Sequence, residues 1–184
     1  MSNFGFGRPK DGLIQMAYTV PDVRKAMAYW TDHMNAGPWY LVENFSGGDP
    51  VYRGRPCDAL INAALGFAGS MQIELIELAN DEPGIQRDAI RSYGYGFHHF
   101  GQACTDIEAE RARYEALGYA NVFHAWMPSG DEVYFMEASG PDGYRLVELI
   151  SSGPVIDAAF TKMWRSSIDW NGSQPVRPFE ELFQ

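Results

Sequence analysis

Two adjacent histidines, His98 and His99, stand in "GYGFHHFGQACTDIE" and make up half of the chain's four histidines. Imidazole binds metals and exchanges protons near neutral pH. Neighbours on a strand project to opposite faces, so only one of the pair can serve a given site. Carboxylates stand in equally apolar surroundings. Glu148 lies between Val147 and Leu149 in "YRLVELIS", and Glu74 and Glu77 interrupt "MQIELIEL". A carboxylate in an apolar run is costly to bury unless it is paired or bound to a cation. Gln15 sits in a third such run, "LIQMAYTV", where it shares a face with Ala17 and Thr19, while Ile14, Met16, Tyr18 and Val20 form the other.

The elements that must hold these residues recur. "LIQMAYTV" reads as a strand and "PDVRKAMAYWTDHM" as a helix, with Pro21 and Asp22 suited to its start and Val23, Met27, Trp30 and Met34 at core-facing spacing. "WYLVENF", "PVYRGRPCDALINAALGFAG" and "SMQIELIEL" follow as strands, and "NDEPGIQRDAIRSYG" as a polar, partly helical connection. The pattern then repeats with strand "HHFGQACTD", helix "DIEAERARYEALGY" and strands "ANVFHAW", "EVYFMEASG" and "YRLVELIS", the last two joined around the turn signal "GPDG". Gln15 precedes Asp22 by seven residues and His99 precedes Asp106 by seven. Each half closes on a similar strand with Glu74 and Glu148 in matching places. The halves therefore read as β-α-β-β-β modules.

If the modules share one cleft, Gln15, Glu74, His99 and Glu148 converge there. One nitrogen and three oxygen donors suit a divalent ion such as Zn²⁺, Ni²⁺, Co²⁺ or Mn²⁺.

The stretches "IQMAYTVPDVRKAMAYW", "MQIELIEL", "GFHHFGQACTDIEAERARYEALGY" and "SGPDGYRLVELI" resemble vicinal-oxygen-chelate proteins, the superfamily of glyoxalases, bleomycin resistance proteins and extradiol dioxygenases. The likeness is greatest to glyoxalase I and methylmalonyl-CoA epimerase. It implies an α+β fold of paired β-α-β-β-β modules forming a curled, cleft-enclosing mixed sheet. It places the metal ligands on Gln15, Glu74, His99 and Glu148, with Glu148 and Glu74 as catalytic acid and base and His98 in a supporting role. Gln15 replaces the histidine commonest at its position. The division this implies is a leader, 1–12, a vicinal-oxygen-chelate domain, 13–151, made of modules 13–80 and 95–151, and a packed aromatic extension, 152–184.

Of 184 residues, 46% are apolar and 21% charged, as expected of a soluble globular domain. A net charge of −10 without a Lys/Arg cluster argues against nucleic acid. No apolar run reaches the roughly 18 residues of a membrane helix, and the start lacks a signal-peptide core. Cys57 and Cys104 have no paired spacing, which points to reduced thiols in the cytoplasm. The function expected is a metal-dependent isomerase, lyase or epimerase acting on a small carbonyl or thioester compound. A sequestering protein of the same fold is the alternative, and an extradiol-type dioxygenase is disfavoured because only one histidine enters the set. Tyr52, Arg53 and Arg55 are expected as substrate contacts at the cleft mouth, and the resemblance implies a homodimer.

Overall fold

The computed structural model of the chain describes residues 2–139 and 146–184. The "GPDG" turn and the first two residues of "YRLVELIS" lie outside the described residues. The first module runs β1 (Gly12–Thr19), α1 (Val23–Met34), β2 (Trp39–Phe45), a crossing hairpin of β3 (Gly48–Tyr52) and β4 (Arg55–Pro56), β5 (Ile61–Ala68) and β6 (Met71–Leu78). A connecting helix, α2 (Ile85–Tyr93), leads to the second: β7 (Gly96–Cys104), α3 (Ile107–Ala116), β8 (Tyr119–Trp126), β9 (Glu132–Ala138) and β10 (Leu146–Ser151). After these come α4 (Pro154–Ser167), β11 (Val176–Pro178) and a 3₁₀ turn, Phe179–Phe183.

The fold is α+β, with all eleven strands in one mixed sheet of order β11-β2-β5-β6-β1-β7-β10-β9-β8-β3-β4. Each module contributes the same internal order, and the modules meet edge to edge through antiparallel β1 and β7. The curl follows from connectivity. In a flat sheet β2 and β3 would stand eight strand spacings apart, roughly 38 Å at about 4.8 Å each. Only Ser46 and Gly47 join them, a reach of about 11 Å at about 3.8 Å per residue. The sheet must bend round until its ends almost meet. Gly47 serves this turn with φ 79°, and a Cβ there would lie 2.8 Å from that of Ala125.

Helices α1 and α3 cover the convex side, each started by an aspartate. Asp22 accepts from the Lys25 N–H at 2.9 Å and Asp106 from the Ala109 N–H at 3.0 Å. Val23 and Met27 pack with Trp39, Ile73 and Leu75, whereas Met34, the last residue of α1, is half exposed. Residues 152–184 pack inside and along the edge of the curl. Phe160, Met163, Phe179 and Leu182 are buried, and β11 extends the sheet beside β2. The first residues join them: Phe4 and Phe6 are buried in the same cluster, and the Gly5 N–H donates to Asp157 at 3.0 Å.

Candidate active site

Four adjacent central strands each bring one polar side chain to a cavity of about 100 Å³ inside the curl: Glu74 from β6, Gln15 from β1, His99 from β7 and Glu148 from β10. The register explains their convergence. Ala17 is the Cα partner of both Glu74 and His99, and Gly101 is the partner of both Gln15 and Glu148. Ala17 follows Gln15 by two residues and Gly101 follows His99 by two, so the pairs are equivalent under the repeat. The two small residues leave room for the long polar chains beside them. A Cβ on Gly101 would lie 2.6–2.7 Å from Gln15 atoms. An irregularity in the β1–β7 pairing between Leu13 and Gln15 has a second effect. It packs Ile14 among the interior residues Leu65, Ala103 and Ile150, and not with Met16 and Tyr18 on the convex face as strict alternation predicts.

The His99 Nε2 lies 3.2 Å from the Glu148 Oε2 and 3.5 Å from the Glu74 Oε2. Gln15 donates from Nε2 to the same Glu74 oxygen at 2.9 Å as placed, and an amide flip would present its carbonyl oxygen instead. Donor atoms of Glu74, His99 and Glu148 all lie within 4.8 Å of one another, a triad that could hold a metal ion. Behind it, the His98 Nδ1 meets the His99 Nδ1 at 2.7 Å. When His99 donates in that bond, its Nε2 is left as a lone pair facing the carboxylates, which is the tautomer a metal ligand needs. Phe135 of β9, the Cα partner of Glu148, packs against the His99 ring with centroids 4.9 Å apart.

Burial sets the proton affinities. Desolvation raises the Glu148 carboxyl from 4.5 to about 8. It also raises Glu74 well above the ordinary range, with the Glu148 charge adding to it. Desolvation lowers His99 to about 3, and lowers His98 well below its ordinary value with help from His99. A neutral His99, backed by a neutral His98, therefore faces two carboxyls that resist ionising. Among the described lining residues no lysine or arginine offsets the acids. A buried acidic pair without a counter-cation is the arrangement a divalent ion stabilises.

Glu77, the second acid of "IELIEL", serves the fold: it accepts from the Val23 N–H at 3.1 Å at the start of α1. Tyr52, Arg53 and Arg55 are not in the cavity wall. The β3–β4 hairpin carries them to β8, at the outer edge of the second module. There Tyr52 donates to Asp88 at 2.8 Å and Arg53 pairs with Glu137 at 2.8 Å, in a separate surface groove. Sequence reasoning missed Gln86 of α2, Ser46, Ser129 and the C-terminal residues Ile156, Phe160, Phe179 and Phe183, all of which line the cavity. Their positions depend on distant packing and carry no local signal.

Residues 14–136 match the family model of the Glyoxalase/Bleomycin resistance protein/Dioxygenase superfamily. The chain belongs to this superfamily. No curated protein matches it significantly. Among solved structures it is similar to the methylmalonyl-CoA epimerase of Mycobacterium tuberculosis, with 19% identity, a TM-score of 0.57 and coverage of 80% of this chain and 91% of that one. It is also similar to a variant of the Streptomyces coelicolor methylmalonyl-CoA epimerase in complex with 2-nitronate-propionyl-CoA. That match has 14% identity, a TM-score of 0.58 and coverage of 78% of this chain and 98% of the other. These likenesses establish the shared fold.

Proposed function

We propose that this superfamily member is a proton-transfer enzyme, an isomerase, epimerase or lyase of the glyoxalase type acting on a carbonyl or thioester compound. One observation carries the reading: the carboxyls of Glu74 and Glu148, each on a side chain only 13% exposed, converge on the Nε2 of the fully buried His99 at the polar end of an apolar cavity. The likeness to methylmalonyl-CoA epimerases supports it at the level of fold. Gln15, Glu74, His99 and Glu148 would hold a divalent ion such as Zn²⁺, Ni²⁺, Co²⁺ or Mn²⁺. When bound, the ion would polarise a substrate carbonyl and offset charge developing on its oxygen.

The chain's own residues supply the rest. Glu148, at the polar end of the cavity 3.2 Å from the His99 Nε2, takes a proton from the carbon next to the carbonyl. Glu74 returns one. His98 keeps the His99 Nε2 free of its proton, and Phe135 holds the ring in place. The apolar wall excludes water that would otherwise compete for the proton. Among the described residues only His99 brings an imidazole to the acids, so a dioxygenase iron site of two histidines and one carboxylate is not built here.

The test combines metal analysis of protein purified without chelator with exchange of substrate hydrogens in D₂O, using 2-tetralone and methylmalonyl-CoA as probes. Near-stoichiometric metal that is lost in His99→Ala is expected. Exchange should fall at least about 100-fold in Glu148→Gln and Glu74→Gln. Full exchange in both variants would overturn the mechanism. Ligand binding with neither metal nor exchange would instead identify a sequestering protein.

A further inference from the structure

We infer that the C-terminal segment makes the cavity a chamber for a neutral, largely apolar carbonyl compound and selects against acyl-CoA and other anionic substrates. The inference rests on the proton-transfer reading above and names the substrate class of that site. Ile156 and Phe160 of α4, together with Phe179 and Phe183 of the 3₁₀ turn, form part of the cavity wall. They lie beyond residues 14–136, the extent of the superfamily match. The two epimerase structures are covered over 91% and 98% of their own lengths, yet leave about a fifth of this chain without a counterpart.

The segment is fastened in place. Its β11 pairs in parallel with β2, the Tyr40 hydroxyl meets the Ser166 hydroxyl at 2.9 Å, and Arg177 donates to the same tyrosine oxygen at 3.2 Å. The Lys162 ammonium donates to the carbonyl oxygens of Glu181 and Gln184, tying α4 to the final turn. Phe183 is 38% exposed and so stands at the rim. The other lining residues that reach solvent include Phe45, Met127 and Pro128, which carry no charge.

Charge decides the class of ligand. The acids Glu74 and Glu148 occupy the polar end, and among the described lining residues no lysine or arginine accompanies them. Of the cations near the extension, Lys10 pairs with Asp157 at 2.8 Å, Lys162 donates to backbone carbonyls and Arg177 to Tyr40. Arg165 lines a separate groove with Lys10 and Lys162, and none of the four lines the cavity. A substrate carboxylate would add a further negative charge with no protein cation to meet it, at high desolvation cost. A CoA ester carries its phosphates outside the cleft and needs cations at the mouth, where this chain offers aromatic and apolar side chains. A neutral ketone with a hydrocarbon or aromatic body meets the wall without that cost. Gln86 lines the cavity and can hydrogen-bond a second polar group, and so can the hydroxyls of Ser46 and Ser129, which also bond the Gly47 carbonyl and the Asp131 N–H.

Titration calorimetry on the full chain tests this, with acetophenone and 2-tetralone as neutral probes and methylmalonyl-CoA as the anionic one. At least one ketone should bind at least tenfold more tightly than methylmalonyl-CoA. Phe183→Ala should weaken ketone binding by about three- to tenfold with an unchanged circular dichroism spectrum. Phe183→Arg should weaken ketone binding and strengthen that of methylmalonyl-CoA. Tighter binding of methylmalonyl-CoA by the wild type, no binding of either ketone, or indifference of ketone affinity to Phe183→Ala overturns the inference. The two readings fail separately. A bound ketone that responds to Phe183 but does not exchange hydrogens in D₂O supports the chamber and removes the enzyme. Exchange with methylmalonyl-CoA and none with the ketones keeps the enzyme and removes the chamber.

Discussion

Replacing Glu148 by glutamine should make the metal-free protein more stable at pH 8, although it removes a site residue. Burial raises the Glu148 carboxyl from 4.5 to about 8, and Glu74 beside it is raised as well. Below about pH 4.5 the folded and unfolded chains both hold this proton, and the group costs nothing. Between about 4.5 and 8 the unfolded chain ionises while the fold keeps its proton, so stability falls as pH rises. Above that interval the full penalty stands. At about 1.4 kcal/mol per pH unit, the interval sets an upper bound of roughly 5 kcal/mol for Glu148. Its side chain is 13% exposed. Relaxation and water penetration hold the effective penalty of a buried charge below its idealised value, so about half of the bound, roughly 2–3 kcal/mol, is expected at pH 8. For a chain of this size that is about 4–12 °C in Tm. Thermal unfolding of chelator-treated protein from pH 5 to 9 is the assay. The two proteins should converge near pH 5 and separate toward pH 8. Metal at a hundredfold excess over Kd should then stabilise the wild type by about 2.7 kcal/mol and close the gap. Coincident curves throughout, or a less stable variant at pH 8, would refute the idea that the acids are held at a cost a cation relieves.

Three further outcomes follow from the packing. Gly101→Ala places a Cβ 2.6–2.7 Å from Gln15 atoms; it should cost about 1–3 kcal/mol by overpacking and weaken metal retention measured by competition with a chelator. Glu77→Gln weakens the carboxylate acceptor at the α1 N-terminus; it should lower stability by about 0.3–1 kcal/mol and leave metal content unchanged, whereas Glu74→Gln should lower metal content. Asp22→Ala and Asp106→Ala each remove a helix N-cap. Each should cost about 1 kcal/mol in denaturant unfolding, with the two effects additive because the helices belong to different modules.

The central elements were legible because their signals are local. Period-2 alternation marked β1 and β6, and the aspartates at 22 and 106 marked helix starts that the structure confirms as side-chain caps. The repeat put Gln15 with His99 and Glu74 with Glu148, and these residues occupy equivalent positions in the register. Alternation failed at Ile14, where an irregular register turns one side chain inward. Helical spacing failed at Met34, the last residue of α1, which stays half exposed. Tyr52, Arg53 and Arg55 looked like contacts because they share a segment with wall residues such as Phe45 and Leu65. Pairing of β3 with β8 carries them away, and strand partners distant in sequence leave no trace in local composition.

From its residues alone, the chain determined two β-α-β-β-β modules, the helix starts and one polar residue on each of four core strands. Periodicity and capping act over a few residues, so they can be read without a partner. Only the tertiary structure decided that Glu77 accepts at the start of α1, how His98 meets His99, and that the aromatic end of the chain helps wall the cavity. Those outcomes depend on sheet curvature, register and packing between residues far apart in sequence. The opening pair of histidines shows the division: matched spacing before Asp22 and Asp106 set His99 opposite Gln15, and only the folded chain shows the His98 ring nitrogen 2.7 Å from that of His99.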